Sequence, residues 1–95
     1  MNMDIQIKTI PTNLGWHFTV TINEPTGPSF FKVTMDKDFL TSIGADFHPE
    51  KVVEKSFEFL LEKEPKEKIL QEFDITEISH YYPEFVKELE KRLLY

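Results

Sequence analysis

The feature that most restricts what this chain can become is a change of period. Up to Met35 apolar side chains recur at every second residue, and from Phe39 onward they recur at every third or fourth. Alternation suits a pleated strand with one face covered, whereas spacings of three and four suit a helix with one apolar stripe. The pattern predicts an α+β fold. A three-stranded antiparallel β-meander, residues 1–36, is followed by a helical part, residues 37–95, packed on one face of the sheet. A chain of 95 residues encloses one core, so a single domain over 1–95 is expected.

In the first strand Met1, Met3, Ile5 and Ile7 share one face, and Asn2, Asp4, Gln6 and Lys8 share the other. Past PTNLG, Trp16, Phe18, Val20 and Ile22 alternate with His17, Thr19, Thr21 and Asn23. Past EPTGP, Phe31, Val33 and Met35 alternate with Phe30, Lys32 and Thr34. Aromatic and β-branched residues between Pro/Gly loops are strand signals. One apolar and one mostly polar face mean that the sheet is covered on one side only.

Asp36 is placed to cap a short helix carrying Phe39, Leu40 and Ile43, with Gly44 at its end. His48-Pro49 opens the next helix, because proline at the first position has no amide to satisfy and holds its predecessor extended. In the segment ending SFEFLLEKEP, Val52, Val53, Phe57, Phe59, Leu60 and Leu61 gather on one side at about 100° per residue. Ser56 falls among them, and Lys51, Glu54, Lys55, Glu58 and Glu62 fill the remaining arc. This is a core helix, since a membrane-surface helix would carry a basic polar face. Pro65 ends it and is expected to start another, with Ile69, Leu70 and Phe73 as its stripe. Asp74-Ile75-Thr76-Glu77 has the capping-box arrangement, with Ile75 and Ile78 inward. A last helix is expected from Pro83 to about Leu94, with Phe85, Val86, Leu89 and Leu93 inward.

The stretch PEKVVEKSFEFLLEKEPKEKILQEFDITEISHYYPEF resembles the signature of a small family of prokaryotic proteins of about this length. In that family a β-rich N-terminal half precedes this helical block. The likeness covers most of residues 20–86. The family is one of unknown function, so the resemblance implies a shared fold and no activity.

There are no cysteines, which removes disulfides, cysteine-based zinc sites and thiol nucleophiles together. The net charge is −6, and of the eleven basic residues only Arg92 is arginine. Both facts oppose binding to nucleic acid and to anionic lipid. Asp4 and Lys8 interrupt the N-terminal apolar residues, so a secretory signal is rejected. The longest charge-free run, 9–23, is too short and too polar for a transmembrane helix of about 20 apolar residues. A soluble, cytoplasmic protein with no membrane association is the expectation.

Few constellations suggest chemistry. His48-Pro49-Glu50 has the His-x-Glu spacing of zinc deaminases but lacks the Pro-Cys-x-x-Cys that completes their site. A helix cap with Glu in its first turn explains it better. Asp46 with His48 supplies two ligands, too few to close a metal site. Asp36-Lys37-Asp38 begins like an EF-hand loop but has Thr41 where glycine must stand. His17, His48 and His80 are scattered over a strand, a cap and a turn. No glycine-rich phosphate loop or nucleophile elbow occurs. No catalytic, metal-binding or cofactor-binding residue is assigned, and no cofactor is expected.

What remains is a small non-catalytic protein–protein interaction or regulatory module. Two other classes stay open: a helix-turn-helix DNA-binding regulator over 69–94, and a small ligand-binding or hydrolytic protein. The candidate surface is the polar sheet face, with Lys8, His17, Thr19, Thr21, Phe30, Lys32 and Thr34. The unpaired edges of the first and third strands adjoin it, open to a protein partner or to self-association; equally, Lys8 and Lys32 guard those edges, or the C-terminal part of the chain folds over this face. Phe30 is the odd member, a large aromatic on the polar side. The aromatics His80, Tyr81, Tyr82, Phe85 and Tyr95 either anchor a partner or plug the end of the core; the second fits better.

Overall fold

The computed structural model describes residues 4–44 and 47–94. Three strands follow the alternation: β1 (Asp4–Pro11), β2 (Gly15–Glu24) and β3 (Gly27–Asp36). They pair antiparallel in sequence order, with Ile7 opposite Val20 and Val20 opposite Phe31. Met1 and Met3 of the expected first strand lie outside the described residues. At the first hairpin a Cβ on Gly15 would sit 2.1 Å from the Met35 carbonyl oxygen, so only glycine lets β2 start beside the end of β3.

Backbone direction in this sheet can be read residue by residue. The Thr12 amide donates to the Gly15 carbonyl at 2.8 Å, closing the turn. Hydrogen-bonded and non-hydrogen-bonded pairs alternate from there in an antiparallel ladder. The even-numbered residues of β1 therefore turn their amides toward β2, and Ile5, Ile7, Thr9 and Pro11 turn theirs away. Pro11 loses no ladder bond at this position. The same count carried across the sheet points the Lys32 amide away from β2, and it donates to the Gln71 carbonyl at 2.7 Å.

The helices are α1 (Lys37–Ile43), α2 (Pro49–Lys63), α3 (Ile78–Tyr81) and α4 (Phe85–Leu94). Asp36 caps α1 by accepting from the Phe39 amide at 2.8 Å. Gly44 ends α1 with φ at +124°, which favours glycine, and a Cβ there would also press on the Phe47 ring at 3.0 Å. His48 caps α2 through its carbonyl alone, which accepts from Lys51 and Val52. Val52, Val53, Phe57, Phe59 and Leu60 are buried and Leu61 half-buried, matching the helical phase. Ser56 is the buried polar residue among them, and its hydroxyl donates to the Val52 carbonyl at 2.7 Å. That bond satisfies the hydroxyl inside its own helix, so it needs no partner across the core.

Residues 69–73 are not helical. After α2 a single 3₁₀ turn (Lys66–Lys68) leads into a fourth strand, β4 (Glu72–Asp74), parallel to β3 with Phe73 opposite Val33. The sheet therefore has four strands in the order β1-β2-β3-β4. Ile69 and Phe73 are buried as a helical stripe would require, but Leu70 is 51% exposed. Backbone pairing decides against the helix: β3 presents outward amides, and a strand satisfies them where a helix would leave them bare. The expected open edge on the third strand is thus closed over Lys32, Val33 and Thr34, and the edge strands among the described residues are β1 and the three-residue β4. The last helix begins at Phe85, two residues later than expected.

One core joins these layers. Phe31 meets Phe57 at 5.3 Å between ring centroids, Phe57 meets Phe73 at 6.0 Å, and Phe59 meets Phe85 at 5.4 Å. The Arg92 guanidinium forks onto the Glu62 carboxylate at 2.8 and 2.7 Å, strapping α4 to α2. That hydrogen-bonded pair holds the Glu62 carboxyl below its usual range and raises Arg92 further. The chain's only arginine fork is already engaged with its own carboxylate, so it presents no free fork for phosphate.

Candidate functional site

The register arranges the uncovered sheet face in rows. Ile10, His17, Thr34 and Asp74 form one; Lys8, Thr19, Lys32 and Glu72 the next; then Gln6, Thr21 and Phe30; then Asp4, Asn23 and Pro28. All six residues expected on this surface from β2 and β3 are there. His17 and Lys32 are exposed, Thr19, Thr21 and Thr34 half-buried, and Phe30 is 60% exposed. The α-helices pack on the opposite face, against Phe18, Val20, Ile22, Phe31, Val33 and Met35.

Glu72 and Asp74 also belong to this face, and sequence periodicity misses them because a three-residue strand has no period to show. Asp74 is the best-connected side chain here. It accepts from the Thr34 hydroxyl at 2.6 Å and from the Thr76 hydroxyl and amide, while the Asp74 amide donates to the Glu77 carboxylate at 2.8 Å. The capping box expected at Asp74 and Glu77 is formed. Partial burial resists ionisation of Asp74, but the bonds from Thr34 and Thr76 outweigh it and hold the carboxyl below its ordinary range. The row places imidazole, hydroxyl and carboxylate side by side, yet Thr34 gives its proton to Asp74 and not to His17. Nucleophilic catalysis needs the imidazole between the other two.

Among the described residues two depressions stand out. One, about 190 Å³, lies between α2 and α3 and is lined by Leu60, Ile69, Phe73, Ile78, Tyr81 and Tyr82. It is smaller than the roughly 300–1,000 Å³ of ordinary small-molecule sites. The other, about 490 Å³, is an open hollow at the first hairpin, beside Leu14, Trp16, His17, Thr34 and Asp74. Of the turn aromatics, Phe85 is buried and Tyr82 stands edge-on to Phe59 at 5.7 Å, so both close the core. Tyr81 is 68% exposed. Tyr95 lies outside the described residues. The helix-turn-helix segment has a 3₁₀ turn (Ile75–Glu77) and the one-turn α3 where a first helix would be needed.

Among the described residues no group of three or more His, Asp or Glu side chains converges on a point that could hold a metal ion. Asp46, the companion of His48 in the two-ligand reading, lies outside them. No described helix is long and apolar enough to cross a membrane. No protein-family model, curated protein or solved structure matches the chain.

Proposed function

We propose that this chain is a small non-catalytic protein–protein interaction module that works through the β1 edge and the adjoining sheet face. The observation that carries this reading is the open side of β1. Its outward amides and carbonyls at Ile5, Ile7 and Thr9 have no strand partner among the described residues. Such an edge is a template for strand addition, with main-chain bonds giving affinity and alternate side chains giving selectivity. His17, Thr19, Thr21, Phe30, Lys32 and Thr34 supply the neighbouring surface, and Phe30 is the apolar anchor on it.

Affinity purification from the protein's own cells tests this, comparing wild type with Ile7→Pro and Phe30→Glu. Ile7→Pro removes an amide that faces outward, so the β1–β2 ladder keeps its bonds. A protein recovered with wild type and lost with both variants, each still folded by circular dichroism, is the expected result. Identical recoveries from all three would refute the reading.

A further inference from the structure

We propose that the hollow between α2, β4 and α3 is a socket for one bulky apolar side chain of a partner protein, presented on a segment with basic residues beside it. The inference goes beyond the β1 reading. It uses other residues, and β4 lies at the opposite end of the strand order from β1.

Pro65 ends α2, and the chain returns through the 3₁₀ turn (Lys66–Lys68) and β4 to the one-turn α3. The hollow opens where these short pieces meet the last turn of α2. Leu60, Ile69, Phe73 and Ile78 line it and are all buried, which makes its wall apolar. At about 190 Å³ it exceeds the roughly 150 Å³ that accepts a benzene molecule, yet falls short of an ordinary ligand site. It has room for one ring or one branched aliphatic group.

The rim separates a free small molecule from a partner segment. Leu70 and Tyr81 also line the hollow, and both are exposed. A group that fits inside covers little of either. A segment laid across the opening removes both from water, and tyrosine is among the side chains that most often anchor such contacts.

Charge decides what flanks the anchor. Glu64, Glu77 and Lys68 complete the lining, for a net charge of −1. The two glutamates are half-buried and Lys68 is exposed, so solvent screens the lysine more than the carboxylates. One oxygen of each carboxylate is held by a neutral donor: the Tyr82 hydroxyl at 2.5 Å for Glu64, and the Asp74 amide at 2.8 Å for Glu77. Among the described residues the other oxygen of each has no hydrogen-bond partner, and neither glutamate belongs to an ion pair. Two fixed carboxylates beside an apolar opening complement lysine or arginine next to the anchor.

Three capped tripeptides test this, with phenylalanine between two lysines, two glutamines or two glutamates. Each is titrated to about 10 mM, the range of weak single-anchor binding, while NMR follows the amides of Ile69, Phe73 and Ile78. The lysine peptide is expected to bind roughly fivefold more tightly than the glutamine peptide, and the glutamate peptide most weakly. Glu64→Gln with Glu77→Gln keeps an acceptor for Tyr82 and for Asp74, so the fold is spared while the charge is lost. This pair should erase the preference for lysine. Tyr81→Ala, at an exposed position, should weaken all three peptides. No shift at the socket with any peptide overturns the proposal. Equal binding of all three, or tightest binding of the glutamate peptide, overturns the basic partner. Shifts confined to β1 would hand the peptides to that edge and leave the β1 reading standing without the socket.

Discussion

Phe30 and Phe31 are neighbours in β3 with opposite fates: Phe31 is 3% exposed and stacked near Phe57, and Phe30 is 60% exposed. The same side chain, one residue along, passes from the core to the surface because the strand period is two. The inner face gains its stability from area removed from water and close packing. The outer face has little such area to gain and holds its order through hydrogen bonds such as Thr34 to Asp74. Burial, not residue type, decides what each position contributes.

The largest effect should come from the inner side. Phe31→Ala and Phe57→Ala are each expected to cost about 3–5 kcal/mol by chemical denaturation, the usual range for truncating a buried aromatic. A loss below about 1 kcal/mol at either would mean that the inner packing is not as described.

An intermediate effect belongs to Asp74, where the outer face meets the capping box. Asp74→Ala removes the acceptor for Thr34 and Thr76 and is expected to cost about 1–2 kcal/mol, the range for a lost cap. The group is half-exposed, so solvent screens part of its charge. Because the folded state lowers the Asp74 pKa, its contribution is fully present above the unfolded value of about 4. It fades as pH falls through the still lower folded value. Comparing wild type with Asp74→Ala at pH 7 and pH 2.5 checks this; a gap that widens in acid would reverse the sign.

The smallest effects should come from exposed positions. Phe30→Ser and Glu58→Ala are each expected to stay within about 0.5 kcal/mol of wild type, Glu58 losing only a surface pair with Lys55. Should Phe30→Ser unfold the protein, the contrast between the neighbours would be erased.

The same contrast shows how far the sequence could be read. Long stretches with a clear period were legible: β1 to β3 by alternation, and α2 by the arc from Val52 to Leu61. Local chemistry was legible too, as at Asp36 and in the Asp74–Glu77 box. Residues 69–73 were not. Ile69, Leu70 and Phe73 have helical spacing, and their true state is set by unpaired amides on β3, which lie far away in sequence. The outer-face residues of β2 and β3 were placed correctly because alternation alone determines them. Glu72 and Asp74 came onto that face through tertiary pairing, which no local pattern encodes.

The lateness of β4 has a kinetic consequence. Thr34 and Asp74 meet across 40 residues of chain, whereas the β2–β3 hairpin turns directly from Glu24 to its partner Gly27. Closing the longer loop costs more entropy before any contact rewards it, so the hairpin is expected to zip first and β4 to dock last. Phe73→Ala should then mainly speed unfolding, and Val20→Ala should mainly slow folding, in stopped-flow chevrons. Equal slowing of folding by both would contradict that order. Until β4 arrives, the outer edge of β3 stands open in every folding molecule. Lys32 is then expected to discourage another chain from pairing there first.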